Sequence, residues 1–280
     1  MTVPPLAIVV PAREKLSTVH RCLDALEAHA PAGSVVYLVD VGYSAETIAA
    51  VHARPPGRIG LRIVRAGPGP VLVNAAVNAA LAHIDEPTVC VVENDVVVGQ
   101  GFWVEMAAAL DAFDADLVSP TIVDGHTGKI HFDPPVSELT LAEDGYRSRL
   151  VRRPKPAWPR VIGRRRISHL EKHCFGGTLE AFRALAPFDE KVCTRTDVDL
   201  SLACHRAGLR LVMAPAAAVA FFGPPVEPAD MAFFAYRWDL DRATRSNERL
   251  VAKWQLRDDH DYLEFVHEMR AFIGRRVSAR

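Results

Sequence analysis

The stretch Thr88-Val-Cys-Val-Val-Glu-Asn-Asp95, followed by Val96-Val-Val98, decides the fold of this 280-residue chain. Its apolar, mostly β-branched first half is typical of a buried strand. Glu93 and Asp95 follow at the carboxyl end, where burying two carboxylates is unfavourable unless a partner compensates them. A hard divalent cation or a hydrogen-bonding ligand is the simplest partner. The stretch therefore predicts a central strand that ends at an oxygen-rich ligand.

Strands alternate with helices before and around this stretch. The patterns predict strands at residues 6–10, 35–39, 61–64 and 88–92, and helices from about Ser17, from Ala45 and over 73–81. We expect Ser17 to cap the first helix. The alternation predicts an α/β fold with a doubly wound, mostly parallel sheet and helices on both faces. Ligands of such sheets bind beyond the carboxyl ends of the strands, so Asp40 and Asp95 should share one edge.

The alternation weakens in the second half of the chain, after a predicted strand at 116–119. Arg147–Arg166 contains nine basic residues and three prolines and is predicted to be a loop. A helix carrying Leu200 and ending at Gly208 follows, and then a strand at 209–213. From about Ala229 the chain is charged and helical, which predicts a C-terminal helical extension.

Composition and charge exclude several classes of protein. The formal net charge of −1 gives no reason to expect nucleic-acid binding by the whole protein. Five cysteines without CxxC spacing argue against a disulfide framework and favour a reducing compartment. The N-terminus lacks the basic region of a signal peptide, and prolines interrupt the longest apolar stretch. We expect a soluble, cytoplasmic protein without a membrane span; peripheral membrane contact and the oligomeric state stay open.

Three sets of carboxylates each allow a structural and a functional interpretation. Asp40 could cap the turn after its strand, or bind a base or ribose. Glu93 and Asp95, two residues apart, would share one strand face and could be solvated or could hold a metal–diphosphate group. Asp197 and Asp199 open a helix, where the dipole alone favours acidic residues. Asp197 lies near the apolar stripe of that helix, however, and a partly desolvated Asp suits general-base catalysis.

Basic and histidine-containing segments are less specific. Arg147–Arg166 is compatible with a solvated loop or with phosphate recognition, and Trp158 within it could stack on a sugar or base. His169 and His173 could share one helix face, but the string between them is not the zinc-protease H-E-x-x-H pattern. Gly67-Pro-Gly-Pro70 lacks the glycine spacing of a dinucleotide-binding loop.

The order of these motifs resembles that of the family 2 glycosyltransferases, which have the GT-A fold. The resemblance covers about residues 6–223, and its matching segments are Ile8–Glu14, Val39–Gly42, Asn74 with Asn78, Glu93–Asp95, Phe188–Glu190, Thr196–Leu200 and Ala207–Gly208. It implies a catalytic domain over residues 1–223, with a nucleotide-sugar half to about 120 and an acceptor half over 121–223, and a helical extension over 224–280.

The resemblance also implies a role for each matching residue. Asp197 would be the catalytic base, and Asp95, helped by Glu93, would hold Mg²⁺ or Mn²⁺ on the diphosphate. The residues implied in donor-nucleotide binding are Pro11, Arg13, Glu14, Asp40, Asn78 and Asn94. Those considered for the acceptor or its loop are Trp158, Gly176, Gly177 and Asp199. One departure concerns the metal, because Phe221-Phe222-Gly223 stands where the family often has a metal-ligating His.

The expected function is transfer of a sugar, with inversion, from a nucleoside-diphosphate donor to an acceptor hydroxyl. UDP-, dTDP- and GDP-sugars are the expected donors, and a saccharide, a lipid-linked intermediate or another small molecule is the expected acceptor. Two alternatives stay open. A sugar-nucleotidylyltransferase would need a Gly-rich loop after the first strand, which Pro11-Ala-Arg-Glu14 is not. A non-catalytic nucleotide-sugar-binding protein is favoured by the departures from the motifs and disfavoured by Asp95 and Asp197.

Overall fold

The computed structural model describes residues 5–132, 137–142, 145–150, 164–258 and 262–275. The strands are β1 (Leu6–Val10), β2 (Val35–Asp40), β3 (Gly60–Arg65), β4 (Thr88–Val92), β5 (Val96–Val98), β6 (Leu117–Asp124), β7 (Ile130–Phe132), β8 (Ser137–Ala142), β9 (Gly145–Leu150), β10 (Arg165–Arg166), β11 (Cys174–Thr178), β12 (Leu211–Phe221) and β13 (Arg257–Asp258). The helices are α1 (Val19–His29), α2 (Ala45–His52), α3 (Val73–Leu81), α4 (Phe102–Phe113), α5 (Leu179–Leu185), α6 (Thr196–Arg206), α7 (Met231–Arg237), α8 (Leu240–Trp254) and α9 (Tyr262–Arg275).

The first half of the chain forms the parallel part of the main sheet. Its strand order is β3-β2-β1-β4, and β1 pairs in parallel with both β2 and β4. The apolar side chains of β1 and β4 are buried on both faces, as continuous β-branched runs in parallel sheets usually are. The predicted strand at 88–92 and the α/β alternation are therefore confirmed.

The second half adds antiparallel strands that the sequence pattern did not indicate. β11 lies between β4 and β6 and runs antiparallel to both, and β12 then pairs in parallel with β6. β11 can occupy this position because it contains two glycines. A Cβ at Gly176 would lie 2.6 Å from the Trp103 ring, and a Cβ at Gly177 would lie 2.2 Å from the Asp116 carbonyl oxygen. Both approaches are too close for any larger residue.

The described ends of the predicted loop Arg147–Arg166 are strands. Its first residues belong to β9, which pairs with β8 and β13 in a separate small sheet, and its last two form β10 at the end of the main sheet. Trp158 and its neighbours over 151–163 lie outside the described residues.

The C-terminal segment is helical, as expected, and is tied to the loop after β1. Asp230 Oδ1 accepts hydrogen bonds from the Leu16 and Ser17 amides at 2.7 and 2.9 Å, and the Ser17 hydroxyl donates to Asp230 Oδ2. The prediction that Ser17 caps α1 was wrong, because Asp230 takes its hydroxyl and the helix begins after Thr18. Among the described helices, none is long and apolar enough to cross a bilayer. The boundary at residue 223 stays a prediction.

Candidate active site

The carboxyl ends of β1, β2 and β4 meet at one edge of the sheet, because the three strands run in parallel with β1 in the middle. Asp40 ends β2, and Glu93, Asn94 and Asp95 follow β4. Arg13 lies in the segment after β1. The shared edge expected from the sequence is therefore present, and it carries Asp40, Glu93 and Asp95.

Asp95 has the least satisfied carboxylate of this edge. Its side chain is 2% exposed, and neither carboxylate oxygen has a hydrogen-bond partner among the described residues. Burial, and then the charge of Glu93, raise the pKa of Asp95 to about 7. A buried carboxylate without donors is unfavourable by several kcal/mol, on the order of a lost charged hydrogen bond or more, unless a cation or donor reaches it. Asp95 therefore has the properties of a ligand-binding carboxylate.

Glu93 is occupied by a protein partner. It is fully buried, and Arg13 Nη1 lies 3.1 Å from its Oε2 and 3.4 Å from its Oε1. Arg13 Nε also lies 3.6 Å from Oε1 of Glu14, which is 3% exposed. This geometry argues against Glu93 as a metal ligand, because its charge is already matched by Arg13. It assigns Glu93 the role of orienting the arginine.

Asn94 joins the segment after β1 to the end of β4. Its amide nitrogen donates to the Lys15 carbonyl at 2.6 Å and to the Tyr43 hydroxyl at 3.2 Å, and its Oδ1 accepts the Arg13 amide at 3.3 Å. The Asn94 backbone amide donates to the Pro11 carbonyl at 3.0 Å. Asn94 is fully buried, so these contacts favour a structural role over direct donor binding.

Asp40 forms the turn after β2. Its Oδ1 accepts the amides of Gly42 and Tyr43 at 3.0 and 3.1 Å, which is the capping interpretation of the sequence. Only one of its oxygens is used in this way, and the side chain is partly exposed at the edge. A role in nucleoside binding stays a prediction that this geometry permits.

Asp197 lies in the first turn of α6 and is the exposed member of its acidic pair. Its side chain is 32% exposed, and its Oδ2 lies 2.8 Å from His169 Nε2. Burial works to raise the pKa of Asp197, but the hydrogen bond and charge of His169 outweigh it and hold the pKa below its ordinary value. The charge of Arg13 acts to lower the pKa values of both Asp197 and Asp95, so both carboxylates lie within electrostatic range of one guanidinium group. Asp197 is thus an ionised, accessible carboxylate with an orienting histidine.

Asp199, in the same turn, is buried and satisfied. Its Oδ1 accepts Trp254 Nε1 at 2.6 Å and Lys253 Nζ at 2.7 Å, which attaches α8 to α6. These contacts give Asp199 a structural role in place of the acceptor role considered from the sequence.

The string His169-Leu-Glu-Lys-His173 contributes more than its sequence indicated. The string is not helical, so the expectation that its two histidines could share one helix face was wrong. His173 Nδ1 contacts Glu171 Oε1, and although burial opposes its charge, Glu171 raises the pKa of His173. Lys172, which is 1% exposed, donates to Asn74 Oδ1 at 2.5 Å. The only sequence signal was four polar side chains among five consecutive residues.

Asp95 is the candidate metal ligand among these side chains. Asp95 fits a divalent cation, because its oxygens are free and anionic ligands suit hard cations. Among the described residues, however, no group of three or more His, Cys, Asp or Glu side chains could hold a metal ion. The protein would therefore contribute Asp95 and leave most of the coordination shell to the ligand and water, which is common for Mg²⁺ at phosphate sites.

Comparison with known proteins decides the family. The family described as "Glycosyltransferase like family 2" matches residues 4–239. The chain belongs to this family. Among curated proteins the comparison finds no match.

Solved structures similar to this family 2-like glycosyltransferase share its fold. GalNAc-T7 with UDP, GalNAc and Mn²⁺ has a TM-score of 0.60 at 12% identity, covering 90% of this chain and 48% of the other. S. aureus TarS 1-349 with UDP-GlcNAc has a TM-score of 0.59 at 14% identity, covering 89% and 71%. Mannosyltransferase PcManGT from Pyrobaculum calidifontis, with GDP-Man and Mn²⁺, has a TM-score of 0.56 at 14% identity, covering 98% and 70%. The chain thus spans about half the length of the first and about 70% of the other two. The predicted family, enzyme class and GT-A fold are confirmed.

The remaining predicted site residues of this glycosyltransferase lie at positions where they support the fold. Asn78 Nδ2 donates to the Phe188 carbonyl at 2.9 Å, and its Oδ1 accepts the Phe188 amide at 2.8 Å. These bonds fix α3 to the loop before α6, so they favour a structural role over donor binding. Gly176 and Gly177 lie inside the sheet, where their small size matters, and not at an open acceptor surface.

Proposed function

We propose that this protein transfers a sugar, with inversion at the anomeric carbon, from a nucleoside-diphosphate donor to an acceptor hydroxyl. The observation that carries the proposal is the presence of two unlike carboxylates whose pKa values both respond to the charge of Arg13. Asp95 is buried and its oxygens have no hydrogen-bond partner in the described part of the chain, whereas Asp197 is accessible, ionised and oriented by His169. Carboxylates whose surroundings separate their pKa values in this way suit two different roles.

The donor would bind at the edge formed by β1, β2 and β4. The nucleoside would lie near Asp40, and the diphosphate would lie near Asp95 with Mg²⁺ or Mn²⁺ between them. A cation held there supplies Lewis-acid charge neutralisation for the leaving nucleoside diphosphate. Arg13, held by Glu93, would keep a positive charge close to the same group. Neighbours solved with UDP-GlcNAc and with GDP-Man support a nucleotide sugar as the donor class.

Asp197 would remove the proton from the attacking acceptor hydroxyl. Its His169 partner fixes one oxygen and leaves the other for the acceptor. Arg195, directly before α6, adopts a left-handed backbone with φ of 52°, an unfavourable conformation that is often found at functional sites. A single base and a single displacement invert the anomeric centre, because no carboxylate nucleophile takes part.

The test is transfer by an Asp197→Asn variant. UDP-, GDP- and dTDP-sugars are screened with Mn²⁺, and nucleoside-diphosphate release is measured with and without candidate acceptors. Loss of the general base should lower kcat for transfer by about 10²- to 10⁴-fold. The donor Kd should stay within about twofold of the wild-type value, because Asp197 does not hold the diphosphate.

The matched control is Asp241→Asn, which removes an exposed carboxylate from the first turn of α8. Its kcat should equal that of the wild type. An Asp197→Asn enzyme that retains more than a tenth of wild-type kcat would refute the base assignment. NMR of the product reports its anomeric configuration, and a product with the donor's configuration would refute the single displacement.

A further inference from the structure

A cleft on the edge beside the donor site lies between α8 and the loop that precedes α3. It encloses about 600 Å³. The loop side is apolar and is formed by Pro70, Val71 and Leu72. This loop touches the Asp40 turn, since a Cβ at Gly42 would lie 3.8 Å from Pro70 Cα. The cleft therefore adjoins the donor edge without containing Asp95 or Asp197.

The opposite side of the cleft is cationic. Arg242, Arg245 and Arg249 line it from positions i, i+3 and i+7 of α8, which lie on one helix face. Lys191 and Glu190 line its end. Positive side chains thus outnumber carboxylates here, although the whole chain has a formal net charge of −1.

The three arginines differ in the contacts that their guanidinium groups make within the protein. Arg242 lies over the Tyr236 ring at 3.7 Å and also binds the Tyr236 carbonyl. Arg249 Nε donates to Asp189 Oδ2 at 2.7 Å. Arg245 has no hydrogen bond or ion pair with any residue in the described part of the chain. An exposed arginine without a partner is ordinary on a flat surface, but this one faces a concave cleft with an apolar opposite wall.

Cys193 connects the cleft to the segment that carries the proposed base. Cys193 lines the cleft, and its amide donates to Ser246 Oγ of α8 at 2.9 Å. The Thr194 amide donates to the same oxygen at 3.1 Å. Asp197 is four residues after Cys193, so their Cα atoms are at most about 14 Å apart. An acceptor held beside Cys193 would therefore have at most about 14 Å to span to reach the backbone of Asp197.

We propose that this cleft binds an anionic group, a phosphate or a carboxylate, carried by the acceptor. The inference rests on the proposed function, because it treats the ligand of the cleft as the acceptor. Guanidinium groups bind both anions through paired N–H donors, and Arg245 offers the free set. The apolar wall and the Tyr236 ring would contact the uncharged part of the same molecule.

The experiment measures binding of three probes by isothermal titration calorimetry. Glucose 6-phosphate and glucuronate carry the two anions, and glucose is their neutral counterpart. Each is titrated into wild-type protein, Arg245→Gln and Arg183→Gln, with and without saturating UDP and Mn²⁺. Arg183 is the matched control, because it is an exposed arginine on α5 that pairs with Asp85 at 3.9 Å, away from the cleft.

At least one charged sugar should bind ten times more tightly than glucose, and its affinity should fall about tenfold or more in Arg245→Gln. Arg183→Gln should leave the affinity for every probe unchanged, and UDP should not compete with the probes for binding. The preferred probe then identifies the anion as phosphate or carboxylate. Equal affinity for all three probes, equal loss in both variants, or competition by UDP would each overturn the inference. Anion binding that depends on Arg245, in a protein that turns over no nucleotide sugar, would uphold the cleft and refute the proposed reaction.

Discussion

Lys172 offers a direct measurement of the electrostatics beneath the site. Its side chain is 1% exposed, and Asn74 Oδ1 is its hydrogen-bond partner. Burial, opposed chiefly by the charge of Glu93, lowers the pKa of Lys172 from 10.5 to about 8. A difference of this size corresponds to about 3 kcal/mol between the charged and neutral forms.

The direction in which stability changes with pH follows from proton linkage. Between pH 8 and 10.5 the unfolded chain keeps the proton of Lys172 while the folded chain has lost it, so stability rises with pH in this window. From pH 7 to pH 10 this single group should add about 2.5 kcal/mol to the free energy of unfolding. Other groups titrate over the same range, so only a comparison with a variant isolates the effect.

The variant is Lys172→Met, which keeps most of the length of the side chain and removes its charge. Urea unfolding at pH 7 and pH 10 gives the change in free energy for wild type and variant. The wild type should gain about 2.5 kcal/mol more than Lys172→Met over this interval. Loss of the Asn74 hydrogen bond shifts the variant at both pH values and cancels in the difference. Lys129→Met, at an exposed lysine, should behave as the wild type does. If the free energy of unfolding rises equally in wild type and Lys172→Met, the reasoning is refuted, because burial would then not lower the pKa of Lys172.

Two further predictions concern the acidic residues. Asp199→Ala leaves Trp254 Nε1 and Lys253 without their buried acceptor, so it should lower the free energy of unfolding by about 2–4 kcal/mol. Differential scanning fluorimetry should then show Tm lower by roughly 4–8 °C; an unchanged Tm would contradict the structural role. The pKa of Asp95, about 7, predicts that Mn²⁺ affinity measured calorimetrically with UDP falls about tenfold per pH unit well below pH 7 and is level above pH 8. Affinity that does not change with pH would show that Asp95 is not the ligand.

The sequence alone determined the parallel half of the sheet and the edge at which the site lies. Runs such as Thr88–Val92 are long, β-branched and bounded by polar residues, so local pattern and tertiary burial agree. A strand that is buried on both faces can carry carboxylates only at its end, and this placed Asp95 correctly. The order of motifs also identified the family, since it depends on spacing along the chain and not on contacts.

Only the tertiary structure separated the side chains that are available to a ligand from those that hold the fold together. Asp197 and Asp199 are acidic residues of one helical turn, and the sequence pattern placed Asp197, and not Asp199, near the apolar stripe. α8 covers one with Trp254 and leaves the other beside His169. Glu93 and Asp95 are both carboxylates, but Arg13, eighty residues earlier, donates hydrogen bonds to the first and none to the second. Such differences depend on long-range partners and burial, which a local pattern does not encode.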